Sequence, residues 1–289
     1  DPDQVEAAHV ITEGGGADFE IGHERFYTCQ TGQKGIFRFR MKSKGPPGHA
    51  SRPEGKSAVV SLSRAVGALG EAEFPIHLSQ TVRAFLEGAA EKRDRRFKRL
   101  LSEVLSNDPS EEELLSLPLG GSLKSELPHL LRNTVSPTIL EAGEKINVIP
   151  TEATAWVDAR LVPGQTDKSF LEEIRPYIGK DVEVEVEQYS PPLEASVDSP
   201  LFRTIVDTMK HHDPEASVVP YMSTGGTDAK HIYPRRSDTE VFGFMPYRQL
   251  PGQEEWRLIH GHDERTSVNN LLFATQVLYD VVRRFCGIE

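Results

Sequence analysis

The spacing of apolar and polar positions divides the chain into stretches of different period. Residues 7–12 (AAHVIT) form a short apolar run that ends in Glu13-Gly14-Gly15-Gly16, the pattern of a buried strand entering a tight loop. Residues 36–42 (IFRFRMK) alternate apolar and basic side chains, which predicts a half-buried strand. Gly45, Pro46, Pro47 and Gly48 break it. From Ser57 to Leu69 the residues Ala58, Val59, Leu62, Ala65, Val66 and Leu69 recur at helical spacing, so a helix follows the loop.

Residues 76–132 are charged and Leu-rich, with Pro118 and Pro128 as breaks, and read as an insertion of short amphipathic helices. Strand signals return at 135–142 and 152–162, joined through Gly143 and Asn147-Val148-Ile149-Pro150, which predicts an antiparallel pair. A helix at about 167–177, with Asp167 as its cap, and a strand at 181–188 complete a strand-helix-strand-strand-helix-strand order. That order is a ferredoxin-like α+β sandwich carrying one long insertion. After Pro191-Pro192 come a helix near 199–211, a strand near 217–222, the loop Ser223–Asp228 and a long amphipathic helix at 267–285. These resume the α/β layer begun by residues 1–34. The predicted fold class is therefore α/β, with an α+β domain at 36–193, including the insertion at about 76–132, set between an α/β domain's two segments, 1–35 and 194–289.

Composition narrows the function. The 289 residues carry a formal net charge of -11, which argues against nucleic-acid or anionic-membrane surfaces, since these need clustered Lys and Arg. The one basic run, 92–99 (KRDRRFKR), reads as a solvated helix face. No apolar run reaches the roughly 20 residues of a membrane-spanning helix, and no basic-then-apolar leader opens the chain, so a soluble protein is expected. Cys29 and Cys286 are too few and too far apart for a disulfide scaffold; a reducing, cytoplasmic setting is the simplest reading. The opening at Asp1, almost at once before an apolar run and a Gly cluster, reads as a cut within a longer polypeptide.

Four islands carry candidate chemistry: Glu13–Gly16; Gly45–Pro53 around His49; Asn147–Pro150 with Asp158-Ala159-Arg160; and Gly225-Gly226-Thr227-Asp228 with His260-Gly261-His262-Asp263-Glu264-Arg265. In this order and spacing they resemble the di-zinc amidohydrolase family that includes aminoacylase, acetylornithine deacetylase, succinyl-diaminopimelate desuccinylase, peptidase T and glutamate carboxypeptidase. The resemblance covers essentially the whole chain and implies the C-terminal two-thirds of such an enzyme: a partial zinc-peptidase catalytic domain with an inserted lid and dimerisation domain. It implies two zinc ions, with cobalt or manganese as substitutes, held by two His and three carboxylates. Glu13 matches the late carboxylate ligand and His260 the final His ligand, because the motif aligns on the His before Gly261 and not on His262. Taken alone, Glu13 is an ordinary loop-end Glu and His260 a surface loop histidine. His49 matches a Gly-His-x-Ser-x-Pro loop whose His donates a hydrogen bond to the developing oxyanion, often in the partner subunit's site. Asn147 and Arg160 match positions that bind the substrate's carbonyl or carboxylate; Arg160 equally fits an outward strand residue paired with Asp158. Gly225, Gly226 and Thr227 match a loop whose backbone approaches the substrate, and Asp228 reads as a helix cap.

The departures from that pattern are as informative. The His-x-Asp, the bridging Asp and the Glu-Glu pair expected before Glu13 are not in the sequence; His211-His212-Asp213 is a formal His-x-Asp, read as a solvated helix terminus. Gln33-Lys34-Gly35 stands where such relatives commonly have Glu-Lys-Gly, which costs a carboxylate but no ligand. Met222 replaces the Arg of glutamate-specific carboxypeptidases, so acidic-substrate preference is unsupported. The resemblance thus implies zinc-dependent hydrolysis of an amide bond in an N-acyl amino acid or small peptide by a full-length homodimeric protein, paired through the lid, with this chain inactive by itself. The alternative is a non-catalytic module that acts in dimerisation or binding alone.

Overall fold

The computed structural model describes residues 7–53, 55–107, 109–119, 121–232, 238–249 and 258–288. The chain opens with β1 (His9–Thr12), β2 (Asp18–Ile21), β3 (Glu24–Gln33), β4 (Gly35–Lys44), β5 (Gly48–His49) and α1 (Ala58–Gly70). A helical stretch follows: α2 (Gln80–Ala90), α3 (Arg95–Ser106), α4 (Glu111–Ser116) and α5 (Gly121–Leu131). Then come β6 (Thr134–Ala142), β7 (Val148–Ile149), β8 (Glu152–Leu161), α6 (Asp167–Ile178), β9 (Val182–Ser190) and β10 (Leu193–Glu194). The last elements are α7 (Pro200–His212), β11 (Ser217–Ser223), α8 (Ala229–Ile232), β12 (Glu240–Gly243) and α9 (Val268–Phe285). Two compact units emerge, one of residues 34–77 and 131–192, the other of 1–33, 78–130 and 193–289.

The first of these is the ferredoxin-like sandwich. Its sheet runs β6-β8-β4-β9 with every neighbour antiparallel, and α1 and α6 cover one face. Period-two alternation is plain in β8, where Ala153, Ala155, Val157, Ala159 and Leu161 are buried between partly exposed residues. Phe37, Phe39 and Met41 of β4 face the same core, against Leu62 and Leu69 of α1 and Phe170 and Ile174 of α6. The opposite face carries charge pairs such as Arg40–Glu185 (2.6 Å) and Lys42–Glu152 (3.3 Å), which keep it polar and individually stabilise little. α6 is capped by Thr166 in a reciprocal box with Ser169 and not by Asp167, which sits one residue inside.

The second unit is built on β3, buried from Phe26 to Gln33. β11 runs parallel to it from Phe26 to Gln33, while β2, β12 and β10 meet it antiparallel in succession along the other edge, and β1 adds beside β12 in parallel. Under this sheet Tyr27, Cys29, Ile205, Met209, Phe242, Phe244, Val277 and Val281 form a core with α7 and α9. The helical stretch 78–130 belongs to this unit, where the hydrophobic pattern had placed it in the sandwich. The reason is local: α2 presents Val82, Phe85, Leu86 and Ala89 as a buried face, and Thr81 binds both the Thr31 hydroxyl (3.2 Å) and, through its N–H, the Glu194 carboxylate (2.6 Å). Gly88 lets the helix approach β11, since a Cβ there would stand 3.0 Å from Val219 Cγ1. Pro128 lies inside α5 and does not break the helical stretch as expected; Pro118 does fall between helices.

In the terminus His211-His212-Asp213, His211 is exposed as expected, but the other two are not simply solvated. Asp213 is buried and accepts from Arg25 (3.0 Å), the Tyr27 hydroxyl (3.1 Å) and Arg248 (3.1 Å), while His212 meets Asp280 at 2.7 Å. Its carboxylate closes the end of α7 against β3, a structural role. Among the described residues no helix is long and apolar enough to cross a membrane.

Candidate active site

Glu13 follows β1 at the entrance to a glycine turn. Gly14, Gly15 and Gly16 have φ of 99°, 64° and 86°, the left-handed region that side chains avoid. Space is equally restrictive: a Cβ on Gly15 would lie 2.5 Å from the Gly243 carbonyl oxygen, and one on Gly16 2.0 Å from that of Met245. The turn is thereby clamped between β3 and the end of β12, with Gly16 N–H on the Thr28 carbonyl (2.6 Å) and Phe244 N–H on that of Thr12 (3.2 Å).

This clamp brings Glu13 to the glycine-rich loop after β11, as the Asp228 N–H donates to Glu13 Oε1 at 2.7 Å. Burial by itself would raise the Glu13 pKa, but hydrogen bonds from the Thr12 hydroxyl and Asp228 N–H, with Lys230 nearby, outweigh it and hold the carboxyl below its ordinary value. The loop is anchored from below. Gln33 Oε1 accepts the Thr227 N–H (3.1 Å), the Thr227 hydroxyl and Gln30 Nε2 (3.3 Å). Gln30 is fully buried, and its own Oε1 has no partner. Gly225 is open, with only Ser223 Oγ near a would-be Cβ, while Thr227 is buried and its hydroxyl takes the Ala229 N–H at the start of α8 (3.3 Å). Thr227 thus makes the contact that Asp228 was expected to make.

His260 is exposed in a turn closed by Gly261 N–H on the Leu258 carbonyl (2.8 Å). It has φ of 60° and its N–H donates to Glu264 (3.1 Å); among the described non-glycine residues it alone is left-handed. Beside it a cavity of about 380 Å³ is lined by Met245, Tyr247, Ile259, Leu271 and Ala274. No described hydrogen bond joins His260 to Glu13, and among the described residues no three His, Cys, Asp or Glu side chains gather as a metal cluster.

In the sandwich unit, β5 pairs with β7 so that His49 faces Val148, and the Ala50 N–H reaches the Asn147 carbonyl (3.1 Å). The structure therefore brings His49 and Asn147 together, at the edge of a cavity of about 420 Å³ bordered by His49, Arg52 and Ile149. Arg160 lies apart from them on β8 and pairs with Asp158 through Nε (2.6 Å), as its alternative reading had it. Asp158 also holds Arg38 (2.8 Å). Burial raises the Asp158 pKa, and the two guanidiniums more than reverse this. Nothing in the sequence signalled Gln30; Gln33 stood out there only as a departure from Glu-Lys-Gly and Ser51 only as the Ser of the His49 loop, without the anchoring contacts that each makes.

A family model for the peptidase dimerisation domain of M20 enzymes matches residues 31–185. The chain belongs to the M20 metallopeptidase family. Among M20 relatives it is 28% identical over 284 residues to the human N-fatty-acyl-amino acid synthase/hydrolase PM20D1, covering 95% of this chain and 54% of that protein. It is 26% identical over 255 residues to the probable carboxypeptidase S-like 2 of Dictyostelium discoideum, covering 87% and 47%. The chain thus spans about half the length of these curated relatives. Its fold is that of an M20 metallo-carboxypeptidase, Sso-CP2 from Sulfolobus solfataricus, with a TM-score of 0.63, 16% identity and coverage of 98% of this chain and 65% of that one.

Proposed function

We propose that a full-length protein containing this chain hydrolyses the amide bond of an N-acyl amino acid or small peptide with the help of two divalent ions, zinc foremost. The observation that carries this is the Glu13 turn: a carboxylate of lowered pKa at a strand end, against a backbone loop kept open at Gly225. The named activities of the relatives support the same class, one a carboxypeptidase and another an N-fatty-acyl-amino acid hydrolase. Two donors do not make a zinc site, which takes three or four, so Glu13 and His260 need donors that the described residues do not supply.

What this chain contributes is substrate handling. His49 donates a hydrogen bond to the carbonyl oxygen as it gains charge, worth most where water is excluded. Asn147 supports the same carbonyl, and the Arg160 guanidinium, held by Asp158 through Nε, offers its remaining N–H donors to a carboxylate. Homodimerisation through the sandwich unit, and a reducing, cytoplasmic setting for the free thiols of Cys29 and Cys286, belong to the same reading. A second reading, a module that dimerises without catalysis, is favoured by the lack of a three-donor cluster among the described residues.

Zinc calorimetry separates the two. The full-length protein should bind two ions at micromolar affinity or tighter and lose amide hydrolysis on chelation, while the 289-residue chain binds neither tightly. A full-length protein that binds no divalent ion sinks the hydrolase reading.

A further inference from the structure

We propose that Ser51 is a positioning residue that fixes His49 as the tautomer protonated on Nε2. The inference deepens the oxyanion role given to His49 above and rests on that reading for its catalytic consequence. It stands on geometry within one turn. The Ser51 backbone N–H points at His49 Nδ1 (3.2 Å) and the Ser51 Oγ lies 2.8 Å from the same nitrogen. A backbone N–H can only donate, so Nδ1 must offer its lone pair, and in a neutral imidazole the proton is then on Nε2. The opposite tautomer would set two N–H groups against each other. Rotating the ring to exchange Nδ1 with a carbon would forfeit both contacts.

The turn itself is held in place. Arg52 N–H returns to the His49 carbonyl (2.9 Å), Ala50 N–H binds the Asn147 carbonyl (3.1 Å), and the His49–Val148 pair aligns β5 with β7. The backbone that carries the Ser51 N–H is therefore fixed relative to the ring it orients. Nε2 is left on the far edge of the imidazole as an N–H donor, the form an oxyanion requires; the other tautomer would present a lone pair to a developing negative charge. This is the logic by which second partners set the tautomer of functional histidines generally.

Two measurements test it. In the 289-residue chain, with His49 resonances assigned from a His49→Gln variant, nitrogen NMR should show Nδ1 as the unprotonated nitrogen and a through-hydrogen-bond coupling between it and the Ser51 amide. Ser51→Ala removes the hydroxyl contact but keeps the N–H that selects the tautomer, so the coupling and the Nε2-protonated form should persist on a more mobile ring. Ser51→Pro, which has no N–H, should instead let the Nδ1-protonated form appear. In the full-length enzyme Ser51→Ala should lower kcat by about 3- to 10-fold with KM unchanged, against the roughly 100-fold or larger loss expected of removing an oxyanion donor by His49→Ala. Ser51→Thr should recover most of the rate. A wild-type His49 protonated on Nδ1, or a Ser51→Pro chain with an unchanged tautomer, overturns the proposal. If the full-length protein hydrolyses no amide, the functional reading fails, yet the tautomer measurement still decides the role of Ser51.

Discussion

Lys34, the first residue of the sandwich unit, should make that unit's stability rise with pH across the neutral range. Its side chain is almost fully buried, with Nζ 3.4 Å from the Thr134 hydroxyl, and burial together with the Arg160 charge lowers its pKa from 10.5 to about 7. A folded pKa below the unfolded one means that the unfolded chain binds more protons between these values, so unfolding becomes harder as pH rises through that window. With about 1.4 kcal/mol per pKa unit, the cost of burying the ammonium is roughly 5 kcal/mol below pH 7 and fades towards pH 10. Between about pH 6 and pH 9 the wild type should gain about 3 kcal/mol relative to Lys34→Met, which has no charge to bury. The raised pKa values of buried Cys29, Tyr27 and Tyr221 act in the opposite direction above about pH 9, and taking the difference between the two proteins cancels them. Urea unfolding followed by Trp156 fluorescence, the tryptophan of this unit's sheet, gives the quantity directly. A stability difference that stays flat between pH 6 and pH 9 would refute the burial argument, as would a Lys34→Met protein less stable than wild type at pH 6.

Three further outcomes follow from the same reasoning. Gly16→Ala combines a left-handed backbone with a Cβ 2.0 Å from the Met245 oxygen, so it should cost about 3 kcal/mol or more and release the Glu13 turn, read as loss of amide protection in β1 by hydrogen exchange. Asp213→Asn leaves Arg25 and Arg248 without their shared carboxylate; because both guanidiniums are about 40% exposed, the loss should be about 2 kcal/mol in chemical denaturation, below the 3–5 kcal/mol of a fully buried pair. Gln33→Glu should be tolerated near pH 4 and lose stability relative to wild type as pH rises towards 7, since burial raises the new carboxyl's pKa and the cost of ionising it grows above the unfolded value; a denaturation midpoint tracked across that range decides it.

The sandwich was legible because its strands bury one face and solvate the other. Phe37, Phe39 and Met41 alternate with basic residues, and Ala153 to Leu161 alternate with Thr154, Trp156, Asp158 and Arg160. β3 was not, although it is the axis of the other unit. It is buried along both faces and both edges, yet it contains Thr28, Gln30, Thr31 and Gln33, so neither alternation nor an apolar run marks it. Nor did amphipathicity say where the helices 78–130 belong: a moment shows that a helix has a face to bury, not which surface receives it. The anchors on β11 and Glu194 join residues 88 and 81 to partners more than 100 positions later, invisible to local spacing. Within the candidate site, residue types at motif positions pointed to His49, Asn147 and Glu13. Which nitrogen of His49 faces Ser51 depends on the turn's coordinates and has no signature in the residue types.

Gln33 shows how a departure from a family pattern is absorbed. Loss of the expected glutamate looks in the sequence like a lost acid near the site. In the structure, one side-chain oxygen at this position accepts from the Thr227 N–H and hydroxyl, and an amide carbonyl supplies that oxygen as well as a carboxylate does. The position therefore holds the glycine-rich loop in register with Glu13 through an acceptor oxygen placed beneath Thr227.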